Sequence, residues 1–227
     1  MDFVAVDVLN DAGGRERLLA LGVRTVPVVA RGDQYVFAQS FDDVAEFVGL
    51  QRGAHAALPP DRLIAKWRGV YRAAQRYIRQ LPDERLGERV IANRDRSIRI
   101  LAHHVFRIGE AFLETADGGA EFTAQAANAA PEEGSLTRGE EIARYGDAVL
   151  NRLESWWTRL TDKSCRQTVA TFFGPQPMHV LLERSTWHSA QHARQLAAVL
   201  ERFGIEPNGR LTADDLDGLP LPKGLWE

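Results

Sequence analysis

From Asp61 onward the apolar residues recur at helical spacing in four separate stretches, and this periodicity restricts the fold more than any other feature of the chain. The first stretch begins after Pro60 and puts Leu63, Trp67, Val70, Ala74, Ile78 and Leu81 on one stripe. The second covers about Ser97 to Thr115 and ends at Gly118-Gly119. The third starts at Thr137, whose Glu140 partner three residues on suggests a capping box; its stripe is Ile142, Tyr145, Val149, Leu153, Trp156 and Leu160. The fourth starts near Pro177, suited to a first helical turn, and runs to Phe203-Gly204, a C-cap signal. Four long helices with one apolar stripe each bury those stripes most economically against one another. Residues 61–204 therefore read as a four-helix bundle. Long loops are expected at 82–95, 118–136 and 162–175, with an Ala-rich loop at 124–130.

Residues 1–50 differ in charge and in period. They carry eight acidic and four basic side chains, whereas the remaining residues are close to neutral. Short β-rich runs at Phe3–Val8, Val26–Ala30 and Tyr35–Ala38 are interleaved with amphipathic stretches at Arg15–Leu21 and Asp42–Val48, giving a βαββα order. The stretch 51–60, with Gly53, Pro59 and Pro60, reads as a linker, and 205–227 as an extended arm lying on the helices. The expected class is α+β, mainly α.

Composition excludes several functions. No apolar run approaches the roughly 20 residues that span a bilayer, and the first residues lack the basic start and apolar stretch of a secretory signal. The single cysteine, Cys165, rules out an intrachain disulfide or a Cys-x-x-Cys motif and reads as a small inert thiol. A net charge of −3 gives no drive toward nucleic acid. A cytoplasmic protein is expected, with a small-molecule substrate or thiol as its partner.

The histidines carry the chemistry. The inward stripe of the fourth helix runs Leu181, Ser185, His188, His192, Gln195, Val199, so two imidazoles lie one turn apart on the face toward the other helices. The second helix contributes His104 through the stripe Leu101, His104, Ile108, Ala111, Phe112. His103, His179 and His55 read as surface residues. Three neutral imidazoles are hard to satisfy in an apolar interior, because each brings two ring nitrogens. A divalent metal takes one nitrogen from each. Three nitrogen ligands leave a coordination position for water or substrate. The expected cofactor is a divalent metal, zinc first, with nickel, iron and manganese as alternatives.

The stretches LAHHVFRIGEAFL and TWHSAQHARQLAAVLERFGI resemble the DinB-like metal-dependent bundle family over about residues 61–204. That resemblance implies a divalent metal held by one histidine of the second helix and the His-x-x-x-His pair of the fourth: His104, His188 and His192. Some branches of the family resemble thiol-dependent isomerases and S-transferases. A zinc-protease helix carries glutamate directly after its first histidine; Ser189 stands there instead.

Thr25-Val26-Pro27, followed by a hairpin and Ser40-Phe41-Asp42-Asp43, resembles the later part of a glutaredoxin with its cis-proline, which implies a partial thioredoxin-like βαββα segment. That resemblance implies Val26, Asp42 and Asp43 as contacts for a low-molecular-weight thiol. The first strand and helix of a glutaredoxin, with the redox cysteines, have no counterpart, so dithiol exchange is not expected. Phe3–Val8 loses its usual neighbour, to be relieved by direct strand pairing, by a second copy in a homodimer, or by a natural start upstream of Met1. Arg68, Arg72, Arg76 and Arg79 read as a solvated face, and Trp156, Trp157 and Trp187 as core aromatics. Two functions follow as expectations: a metal-dependent transferase, isomerase or hydrolase using metal-bound water or thiol, or a non-catalytic metal-binding or stress-response protein.

Overall fold

A computed structural model describes residues 3–8, 10–39, 41–50, 57–90 and 96–226, without the side chains of 41 and 42. The fold is α+β and mainly helical. The chain divides into two compact units, Met1–His55 and Ala56–Glu227.

The first unit contains helix α1 (Ala12–Ala20), strands β1 (Val28–Arg31) and β2 (Gln34–Phe37), and helix α2 (Phe41–Val48). Asp11 caps α1 by accepting from the Gly14 amide at 3.0 Å. The two strands pair antiparallel, Val28 opposite Phe37 and Arg31 opposite Gln34. Gly32 takes φ +59° in the turn between them, a conformation that glycine adopts without penalty. The Val26–Pro27 peptide is cis. Residues 3–8 are not the expected strand. No described strand lies beside them to form a ladder, and the Asp7 carbonyl accepts instead from the amides of Asn10 and Asp11 in the turn into α1. Val6 lies on α1 instead, close enough to leave no room for a side chain at Gly14.

The second unit is built on four long helices: α3 (Pro60–Gln80), α4 (Ile98–Ala116), α6 (Gly139–Arg159) and α7 (Met178–Arg202). Short elements fill the expected loops. They are a 3-10 turn at Asp83–Arg85, helix α5 (Ala124–Ala127) in the Ala-rich stretch, and the two-residue strands β3 (Thr168–Val169) and β4 (Gln176–Pro177). Both α3 and α4 pack against α6 and α7. Ser97 caps α4 through the Ile100 amide, and Gly204, at φ +73°, follows the end of α7. The cap of α6 sits one residue later than the spacing suggests: Glu141, not Glu140, accepts from the amides of Thr137 and Arg138. Glu140 binds Arg79 and Arg144 instead.

The core is the union of the four stripes. Trp67, Tyr71, Phe106 and Phe112 are fully buried and stack edge-on or tilted at centroid distances of 5.1–5.6 Å. Gly146 lets α6 approach the Phe106 ring, where a Cβ would fall 2.5 Å from a ring carbon. The arginine row of α3 is exposed to half-buried, as its spacing suggests, and its side chains find partners there. Arg68 and Arg72 face Glu154, Arg79 binds Glu140 and Asp147, and Arg76 donates to the carbonyls of Asn208 and Gly209. The segment after α7 carries the one-turn helix α8 (Ala213–Leu216) and runs along α3, where Lys66 donates to the Asp214 carbonyl at 2.9 Å. Cys165 is completely buried, and burial pushes its thiol up to about 11. A thiol reagent should therefore label the native chain orders of magnitude more slowly than the urea-unfolded chain; equal rates would contradict this burial.

Candidate metal centre

Helix phase brings His104 on α4 together with His188 and His192 on α7. Their ring centroids lie 5.4 Å (His104–His188), 4.8 Å (His104–His192) and 4.8 Å (His188–His192) apart. One nitrogen from each ring falls within 4.8 Å of the other two. A tetrahedral zinc with bonds of about 2.0–2.1 Å asks for nitrogens about 3.4 Å apart. A cation would therefore draw the rings inward by small rotations rather than enter a finished cage. Among the described residues this is the group of histidine, cysteine or carboxylate side chains so arranged.

Burial and neighbours set the protonation of the rings. Burial holds the His104 and His188 imidazoles well below their ordinary pKa, and nearby positive charge, including Arg96 and Arg184, adds to the effect. Neutral imidazole is the form that binds metal. His104 and His192 are buried, whereas His188 is half-buried, so what exposure the cluster has lies on the His188 side. There Trp187 stacks on the His188 ring, 5.5 Å between centroids and 13° between planes. His192 donates from Nδ1 to Gln195 Oε1 at 2.7 Å, which leaves Nε2 to face a cation. Ser185, three residues before His188, buries a hydroxyl that makes no hydrogen bond. Arg184, 6% exposed, lies over the rings of Phe122 and Phe173 at 5.3 and 5.7 Å.

Ser189, at the position where a zinc protease carries its glutamate, faces away from the cluster. Its hydroxyl accepts from Trp67 Nε1 at 3.1 Å and donates to the Val105 carbonyl at 3.0 Å, tying α7 to α3 and α4. It has no part in acid-base chemistry at the histidines.

The other sequence-selected residues fare differently. His103 is not a surface residue: it is 6% exposed and stacks on Tyr145 of α6, with centroids 4.9 Å apart. The reason is that α4 meets α6 on one flank and α7 on the other, so neighbouring phases are both covered. His179 is half-buried and its Nε2 lies 2.8 Å from the Leu58 carbonyl, so it too is more than a surface residue. His55 and Ser40 lie outside the described residues. Val26 is half-exposed just before β1, and Asp43 sits in the first turn of α2; the side chain of Asp42 lies outside those described. The sequence reading gave no role to Gln195 or Arg184. Gln195 was visible as a polar residue on an inward stripe, three positions after a histidine.

These protonation states set a pH dependence for the metal-free protein. Burial depresses the His103, His104 and His188 pKa values, His103 to about 4. Below pH 6.5 the unfolded chain takes up protons that the folded chain refuses, so stability falls as pH falls through that window. Each such imidazole contributes a slope of at most about 1.4 kcal/mol per pH unit. Urea titrations in chelator at pH 7.5 and 5.5 should show a lower midpoint at 5.5; an unchanged midpoint would mean that the rings are not buried neutral.

No protein-family model and no curated protein matches this chain.

Proposed function

We propose that this protein binds a divalent metal through His104, His188 and His192 and uses it in catalysis. The four long helices are read as a DinB-like four-helix bundle, and zinc is the first choice of metal. The observation that carries the proposal is the convergence of three imidazole nitrogens, from two helices, within 4.8 Å. When bound, such a cation supplies Lewis acidity and lowers the pKa of a bound water or thiol. The chain's own groups fit that use. Burial holds His104 and His188 in the neutral form, and the positive charges of Arg96 and Arg184 beside them would favour an anionic ligand at the site. The Ser185 hydroxyl, buried without a hydrogen-bond partner on the same stripe as His188, would be the group to hold such a ligand's proton or lone pair. The reaction class is transfer, isomerisation or hydrolysis with water or a low-molecular-weight thiol as nucleophile. The first unit is then a thiol-recognition or dimerisation module, glutaredoxin-like in descent, with Val26, Asp42 and Asp43 as its ligand contacts.

One observation favours a second reading, a non-catalytic protein in which the cation stiffens α4 against α7. Among the described residues no carboxylate joins the three imidazoles to serve as acid or base. Metal analysis and cobalt absorption spectra of the purified chain test the shared premise, with one ion per chain expected. Zinc-dependent turnover of thiol addition or hydrolysis substrates then supports the enzyme. Stabilisation by metal without turnover supports the structural role, and absence of metal uptake defeats both.

A further inference from the structure

The segment Pro222–Leu225 lies directly behind the proposed metal ligands and is held there by three side chains of α7. Gln195 Nε2 donates to the Leu225 carbonyl at 2.8 Å. Gln191 Nε2 donates to the carbonyls of Gly224 and Leu225 at 3.1 and 2.8 Å. Arg194 Nη1 reaches the Pro222 carbonyl at 3.2 Å and Gln191 Oε1 at 2.6 Å. Trp226 packs against the core beside them.

The hydrogen-bond polarity of this array is forced. A carbonyl only accepts, so the NH₂ of Gln195 must point at Leu225. Its Oε1 then points at His192 and accepts the Nδ1 proton. A neutral imidazole with its proton on Nδ1 has its lone pair on Nε2, the nitrogen left to the cation. The docked segment thus selects the ligating tautomer of His192 through a single amide.

We infer that docking of residues 222–225 and metal binding at His104, His188 and His192 are coupled through Gln195, making this segment a regulatory latch on the centre. The inference rests on the metal reading above. Gln195 is a positioning residue, since it touches a ligand and not the cation. Coupling is reciprocal: a segment that favours the metal-binding tautomer is itself held more tightly when metal is bound. A partner that captured residues 222–226 would loosen the metal.

Lys223 is exposed within the latch and offers a built-in reporter. Trypsin cleavage after Lys223 releases residues 224–227, detected by the mass of the intact chain. In the wild type, saturating zinc or cobalt should slow this cleavage by about 5–150-fold, the usual span of such coupling. Gln195→Leu should bind cobalt about 10–100-fold more weakly, as changes behind a ligand do, and lose the protection. Gln195→Glu separates the two halves of the link. Its carboxylate still accepts from Nδ1 but cannot donate to Leu225, so cobalt affinity is restored while protection of Lys223 stays lost. Equal urea midpoints of the two chelated variants show that the leucine variant does not merely misfold.

Wild-type protein that binds cobalt with unaltered cleavage at Lys223 would overturn the latch and leave the metal centre standing. So would Gln195→Leu binding cobalt as the wild type does. Wild-type protein that takes up no metal would overturn the centre and the latch together.

Discussion

Replacing His192 with alanine should lower the affinity for zinc or cobalt by at least about a hundredfold. The apparent free energy of about 10–16 kcal/mol measured for four-ligand zinc sites corresponds to roughly 3 kcal/mol per ligand, or more than two decades in affinity. His104→Ala and His188→Ala should behave alike, because one nitrogen of each ring lies within 4.8 Å of the other two. His103→Ala is the informative control. It adjoins His104 in sequence, yet its ring stacks on Tyr145 toward α6, so it should keep the metal and lose only packing. Competition with a chromophoric chelator reads all four variants. Equal affinity in the wild type and His192→Ala, or a loss confined to His103→Ala, would show that the helical phase had been misassigned.

Trp67→Ala should destabilise the second unit by about 3–5 kcal/mol, the usual cost of removing a large aromatic from a core. Two terms place it toward the upper end. The indole is completely buried against Tyr71 and Phe112, and its Nε1 donates to Ser189. Truncation opens a cavity and removes that bond from a buried hydroxyl. The expected fall in melting temperature is roughly 10 °C for a unit of this size. Trp67→Phe keeps most of the volume and should cost less than half as much. Because Ser189 adjoins His188, the alanine variant should also weaken metal binding, but less than loss of a ligand does. Chemical denaturation of the chelated protein separates the two effects. A change below about 1 kcal/mol in Trp67→Ala would refute the packing described for the α3–α7 interface.

The helices and the histidine cluster were legible because both depend on periodicity. A spacing of three and four residues puts Leu181, Ser185, His188, His192, Gln195 and Val199 on one face of α7 whatever surrounds it, and the same arithmetic turns His104 inward on α4. The fate of His103 was harder to see, since one stripe was assigned to a helix that is buried around most of its circumference. The local pattern gave no signal: His103 shares the polar phase of Arg99, Arg107 and Glu110, and only the packing of α6 over that flank buries it. The cap of α6 shifted by one residue because Thr137 and Arg138 both present amides to one carboxylate, and local spacing does not rank Glu140 against Glu141. Residues 3–8 have strand-forming composition and no strand, because a strand is a property of a pair.

Local sequence by itself determined four helices, their inward faces and three imidazoles in one phase, because helical geometry repeats every 3.6 residues regardless of context. Only the tertiary structure decided which nitrogen of His192 carries its proton and which residues stand behind it. Those contacts join Gln191 and Gln195 to Leu225, about 30 positions along the chain, and no short-range pattern encodes a hydrogen bond between a side chain and a distant carbonyl.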